Sequence, residues 1–177
     1  MSGNGKPRII VFDLDYTLWP FWVDTHVTPP FRKGKGSEVV DAHGQVIKYY
    51  KEVPQVLKEL YTEGYELGVA SRTSEIRGAY QLLNLFGWDK YFKYKEIYPG
   101  CKVTHFSKIK KDSGMDYKDM IFFDDEDRNI RDLTKVGVLS ILVRNGVNHA
   151  CVRDGLHKYD MKITQRLQRL ASSTPGR

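Results

Sequence analysis

Short apolar runs and helical stripes alternate along the chain. Ile9 to Phe12 is an unbroken apolar run, the mark of a strand buried on both faces. Pro54 suits a helix start; Val56, Leu57, Leu60 and Tyr61 then share one face, and Gly64 is the stop. Leu67 to Ala70 reads as the next buried strand. Ser74 reads as the cap of a helix whose inner side carries Ile76, Ala79, Leu82 and Leu83, ended by Gly87. Ile97 and Tyr98 suggest a short strand before Pro99-Gly100, with a helix from Val103 to near Lys111. Met120 to Phe123 is a further apolar strand. Ile130, Leu133 and Val136 trace a helix that Gly137 ends, Val138 to Val143 is another strand, and Ile163, Leu167 and Leu170 mark a closing helix.

This alternation predicts an α/β fold of three layers, a parallel sheet with helices on both faces and right-handed crossovers. The stretch from Phe21 to Lys51 departs from it. It is polar and turn-rich, with strand-like pieces at Val39-Val40 and Val46-Ile47 around a His43-Gly44 turn, and reads as a flap. The expected organisation is one domain over 1–177, with an ordered core over 7–171, the flap at about 21–51, a frayed start from Ser2 to Lys6 and a tail over 172–177.

Composition narrows the class. Hydrophobic residues are 41% and charged residues 28%, an ordinary globular balance. The aliphatic run Val138 to Val143 is broken by Ser140 and is too short to span a bilayer. No apolar leader opens the chain, and Ser2 stands where myristoylation needs glycine, so no membrane partner is expected. Two cysteines, Cys101 and Cys151, are too few for a disulfide framework and point to a reducing, cytoplasmic or nuclear setting. The net charge of +6 is scattered over loops such as Arg32, Lys33 and Lys35, a solvated surface rather than a nucleic-acid groove.

In parallel α/β sheets, ligands sit beyond the carboxyl ends of the strands. Asp13 and Asp15 follow the first run, Ser71 and Arg72 the second, Lys102 the third, and Asp124 and Asp125 the fourth. An Asp at a strand end is often only a helix cap, and Asp125 has that ordinary reading. Right chemistry at every strand end is a different matter. Clustered acids need a cation, oxygen-only ligation selects a hard one such as Mg²⁺, and basic groups beside a metal suit phosphate.

Asp13-Leu-Asp-Tyr-Thr-Leu18, Ser71, Lys102 and Asp124-Asp125, in this order, resemble the four motifs of the haloacid dehalogenase superfamily. The flanking Trp19-Pro-Phe-Trp22, Ala70-Ser-Arg-Thr-Ser-Glu75 and Phe122-Phe-Asp-Asp-Glu-Asp-Arg-Asn129 resemble the eukaryotic magnesium-dependent phosphatases more closely. The resemblance implies a Rossmann-like core, an aspartyl-phosphate intermediate and a Mg²⁺ requirement. It also implies Asp13 as nucleophile and metal ligand, Asp15 as general acid and base with its main-chain carbonyl on the metal, and Asp125 as a further metal ligand. Asp124 would support Lys102 and the loop; spacing alone allows the two adjacent acids to exchange these roles. Ser71, Arg72 and Lys102 would grip the phosphoryl group.

Rival chemistries find little support. Six positions after Cys101 and Cys151 stand Ser107 and His157, not the arginine of a cysteine-based phosphatase. No phosphate-binding glycine loop is present, and the five histidines lack zinc-binding spacing and read as surface or loop residues. The intervals from Asp15 to Ser71 and from Ser71 to Lys102 leave no room for a cap domain. An open site suits phosphate displayed on a macromolecule, and the resemblance points to phosphotyrosine or to sugar phosphates, including protein-linked fructosamine-type ones. Trp22 is expected as the wall facing the substrate, while Trp19 and Phe21 pack the flap on the core. The expected protein is a monomeric phosphatase; the alternatives are a nucleic-acid end phosphatase and a non-catalytic phosphate-binding module.

Overall fold

The computed structural model describes residues 5–173. The expected frayed start and tail therefore lie largely outside the described residues, while Ser172 closes the last helix.

Five parallel strands make the central sheet: β1 (Ile9–Phe12), β5 (Glu66–Ser71), β6 (Phe92–Ile97), β7 (Met120–Asp124) and β8 (Leu139–Leu142), in spatial order β6-β5-β1-β7-β8. Central β1 pairs with β5 and β7, Ile9 facing Glu66 on one side and Met120 on the other. All four of its side chains are buried because the strand has helices on both faces. Ile10 and Phe12 point with Leu67, Val69, Ile121 and Phe123 into a core shared with α1 (Val53–Thr62), α2 (Ile76–Leu85) and α5 (His149–Ser172). Ile9 and Val11 point the other way, against Phe106 and Ile109 of α3 (Lys102–Ser113) and Leu133 of α4 (Asp127–Val136). The predicted three-layer α/β fold is the observed one.

Local chemistry sets the element ends. Gly137 closes α4 at φ +104°, a left-handed conformation that costs glycine nothing. Gly155 lets α5 approach the sheet: a Cβ there would meet the Phe123 ring at 2.7 Å. Several predicted details shift. Glu75, not Ser74, caps α2, its carboxylate accepting from the Gly78 amide, while the Ser74 hydroxyl donates to Asp24. Ile76 and Tyr61 are exposed rather than inward. Strand β6 begins at Phe92, five residues before the predicted Ile97. Helix α5 begins at His149, and its core side is Val152, Gly155 and Tyr159; Leu167 and Leu170 are exposed.

The flap is a three-stranded antiparallel sheet rather than a lone hairpin: β2 (Arg32–Lys33), β3 (Val39–Val40) and β4 (Val46–Ile47). Buried Val23, Phe31, Val39 and Ile47 join it to the core on the α2 side. Its turn is organised by Asp41, a buried carboxylate that accepts the Thr28, His43 and Gln45 amides. Burial pushes that carboxyl up, but the three amides outweigh it and hold it below the usual range. No cap domain is inserted among the described residues. No helix of the described residues is long and apolar enough to cross a membrane.

Candidate active site

The loop that carries Asp13 follows the end of β1. Asp13 continues the strand, its amide donating to the Phe123 carbonyl at 3.0 Å, and the chain then turns so that Thr17 and Leu18 both donate to the Leu14 carbonyl. Tyr16 takes φ +56°, an uncommon conformation for a bulky side chain, held by its amide bond to Trp19. Thr17, wholly buried, donates its hydroxyl to Asp13 Oδ2 at 3.0 Å and lies 3.4 Å from Asp125 Oδ1.

Lys102 opens α3 and is 2% exposed. Its ammonium donates to Asp13 Oδ1 and to Asp124 Oδ2, each at 2.6 Å. Asp124 also accepts the Asn129 amide at 3.0 Å and the Glu126 backbone amide at 2.8 Å. Asp13, Asp124 and Asp125 each bring a carboxylate oxygen within 4.8 Å of the others. One ammonium cannot balance three carboxylates. Burial first, then the neighbouring acids, raises Asp13, Asp124 and Asp125 to about 6 each, against the lowering by Lys102 at the first two. Burial pulls Lys102 down, but Asp13 and Asp124 together push it net upward, so it stays an ammonium. Oxygen-only donors crowded in this way match what a hard divalent cation requires.

Asp15 is turned away from this cluster. Its Oδ1 accepts the Trp19 indole N–H at 2.8 Å and the Val23 amide at 3.2 Å. Burial, reinforced by the Asp13 charge and opposed by these bonds, raises it to about 7. Such a carboxyl can give and take a proton near neutrality.

A cleft of about 220 Å³ brings together Asp13, Asp15, Ser71, Arg72 and Lys102, predicted at separate strand ends, with Trp22 of the following loop; Asp124 and Asp125 do not line it. Ser71 is the last residue of β5 and is buried, its hydroxyl accepting from the Thr73 amide at 3.3 Å. Arg72 lines the cleft and carries a buried Nε without a hydrogen-bond partner. Trp22 is 49% exposed, while Trp19 and Phe21 are buried and stacked at 5.5 Å. The Trp22 indole lies nearly parallel to His26 at 5.0 Å and nearly perpendicular to Tyr16 at 5.7 Å. Larger hollows, about 340 Å³ under the flap and about 490 Å³ beside α2, hold no cluster of acids.

Thr17, Asn129 and His105 escaped the sequence reading. Thr17 stands within the quoted motif, but its two carboxylate partners become visible only in three dimensions. His105, expected on the surface or in a loop, is wholly buried.

The comparisons with known proteins agree with this geometry. Residues 6–162 match the family model described as Acid Phosphatase. The human magnesium-dependent phosphatase 1 is 50% identical over 169 residues, covering 96% of each chain. The chain belongs to the magnesium-dependent phosphatases of this family. A HAD-like hydrolase superfamily protein of Schizosaccharomyces pombe is 41% identical, over 80% of this chain and 90% of its own. Among solved structures, a HAD-superfamily hydrolase from Ehrlichia chaffeensis superposes with a TM-score of 0.64 at 10% identity, covering 87% of this chain and 98% of that one. One from Geobacter sulfurreducens gives 0.56 at 14% identity, covering 77% and 89%. These two speak for the fold alone. In this phosphatase Asp13, Asp15, Ser71 and Lys102 line one cleft, and Asp124 and Asp125 each bring a carboxylate oxygen within 4.8 Å of one of Asp13.

Proposed function

We propose that the chain hydrolyses phosphomonoesters through a phosphoryl group carried on Asp13, with Mg²⁺ as cofactor. The observation that carries this reading is Lys102, whose ammonium touches Asp13 and Asp124 at 2.6 Å on the floor of a cleft that Ser71 and Arg72 also line. Lys102 keeps the Asp13 carboxylate charged and aimed, and meets the charge of an incoming phosphate. Ser71 and Arg72 supply further grips. Asp13 attacks phosphorus in line; Asp15 protonates the departing oxygen and then takes a proton from the water that attacks the phosphoryl aspartate.

The residues fit the cation. Asp13 and Asp125 through their carboxylates, and Asp15 through its main-chain carbonyl, would hold it, while Asp124, committed to Lys102 and Asn129, supports the loop. Bound there, Mg²⁺ supplies the positive charge that screens a carboxylate from a phosphate dianion. With only a flap over it, the cleft suits phosphate displayed on a larger body. The substrates proposed are protein phosphotyrosine and sugar phosphates, including those linked to protein amines. They are met in the cytoplasm by a monomer, with Trp22 as the wall against the leaving group.

A substrate panel tests this: phosphotyrosine peptide, phosphoserine peptide, free and protein-linked sugar phosphates, and phosphorylated nucleic-acid ends, each with Mg²⁺ and with EDTA. Expected is EDTA-sensitive turnover of the first and third classes, unaffected by thiol alkylation. Steeply salt-dependent action on nucleic-acid ends alone, or EDTA-resistant, thiol-sensitive turnover, would overturn the assignment.

A further inference from the structure

The His105 imidazole sits in α3, one turn after Lys102, and is wholly buried. Its Nε2 lies 2.9 Å from the Ser71 carbonyl oxygen and 2.7 Å from that of Tyr98. Its Nδ1 lies 3.1 Å from the Cys101 carbonyl oxygen. The Tyr98 ring stacks on it at 4.2 Å, 14° from parallel. Every polar neighbour of the ring is therefore a carbonyl, and carbonyls only accept. The ring is thus held among three carbonyls in a place closed to solvent.

We infer that His105 positions the phosphate grip. Its Nδ1 contact, to the residue four positions back, sets the ring on α3. Its Nε2 bonds tie the helix to the ends of β5 and β6. Ser71 closes β5, and Lys102 immediately follows Cys101. One side chain thus locks together the two elements that present the hydroxyl and the ammonium. His105 lines none of the cleft and touches no reacting group; it is a positioning residue.

The effect on phosphate binding rests on the phosphatase reading.

Inhibition by inorganic phosphate, read on His105→Gln and His105→Ala, tests the positioning role. Loss of one or two net hydrogen bonds should raise the inhibition constant roughly three- to tenfold in His105→Ala, and less in His105→Gln, which keeps an N–H donor. Unchanged phosphate inhibition in a folded variant, checked by circular dichroism, would reduce His105 to a stability residue and overturn the positioning role. Should His105→Ala not fold, His105→Gln carries the comparison. A wild-type protein that phosphate does not inhibit would overturn the phosphatase reading, whereas wild-type inhibition left unchanged in both variants overturns the positioning role alone.

Discussion

Replacing Lys102 by methionine keeps the length of the side chain and removes its charge. The ammonium is 2% exposed and bonded to two carboxylates at 2.6 Å, so the change leaves both acids buried without a cation. Removing one partner of a buried pair typically costs about 3–5 kcal/mol. Here the acids can escape part of that cost by taking up protons, and this makes the loss pH-dependent. Asp13 and Asp124 already sit at about 6, above the ordinary 3.8, so in metal-free protein their contribution is favourable at low pH and lost as pH rises through about 6. Without Lys102 they rise further, and the added penalty appears above pH 6. In Mg²⁺-free urea titrations we expect Lys102→Met to cost under about 1 kcal/mol at pH 5 and about 3 kcal/mol at pH 8. With Mg²⁺, kcat/KM on an aryl phosphate should fall by about 10²–10³, the kinetic equivalent of about 3–4 kcal/mol. An equal loss at both pH values, or one below about 1 kcal/mol at pH 8, would refute charge compensation as the role of Lys102.

Trp22→Ala should lower kcat/KM roughly threefold to tenfold on aryl phosphates, which stack, and leave acetyl phosphate nearly unchanged; equal losses on both would make Trp22 a support for the loop. Asp41→Ala, which strands three amides in the flap turn, should cost about 2–3 kcal/mol in urea melts while leaving acetyl phosphate turnover close to wild type, and a cost within about 0.5 kcal/mol would contradict the assigned role. Asp15→Asn should impair alkyl phosphates far more than aryl phosphates with good leaving groups, because only the former need a proton delivered; uniform losses would remove Asp15 from the acid role.

The central strands were legible because β1 and β7 are buried on both faces and so read as continuous apolar runs. Strand β6 is an edge strand with Lys93 and Glu96 between buried positions, and its polar half hid it until Ile97. The first half of α5 was missed for a similar reason: it docks through Val152, a glycine and Tyr159, too sparse a stripe to register, while the apolar Leu167 and Leu170 that suggested the helix face solvent. The rule that chemistry follows strand ends brought out most of the cleft: Asp13, Ser71 and Arg72 sit within a residue of a strand terminus and Lys102 opens the next helix, while Asp15 and Trp22 lie further along the loop after β1. It could not reach Thr17, Asn129 or His105. Thr17 meets Asp125 and His105 meets the Ser71 carbonyl across remote segments, Asn129 meets Asp124 only five residues back, and a polar residue inside a motif or helix looks the same in sequence whether it is solvated or fully engaged.

The central claim is that Asp13 carries the phosphoryl group, and chemical trapping addresses it most directly. Asp15→Asn protein, reacted with an aryl phosphate and Mg²⁺, should accumulate the acyl phosphate because the base for its hydrolysis is gone. Quenching with borohydride reduces an acyl phosphate to the alcohol, so peptide mass spectrometry should find homoserine at position 13, and only when Mg²⁺ was present. Release of the aryl alcohol with residue 13 unmodified, or with the label on another side chain, would contradict the account.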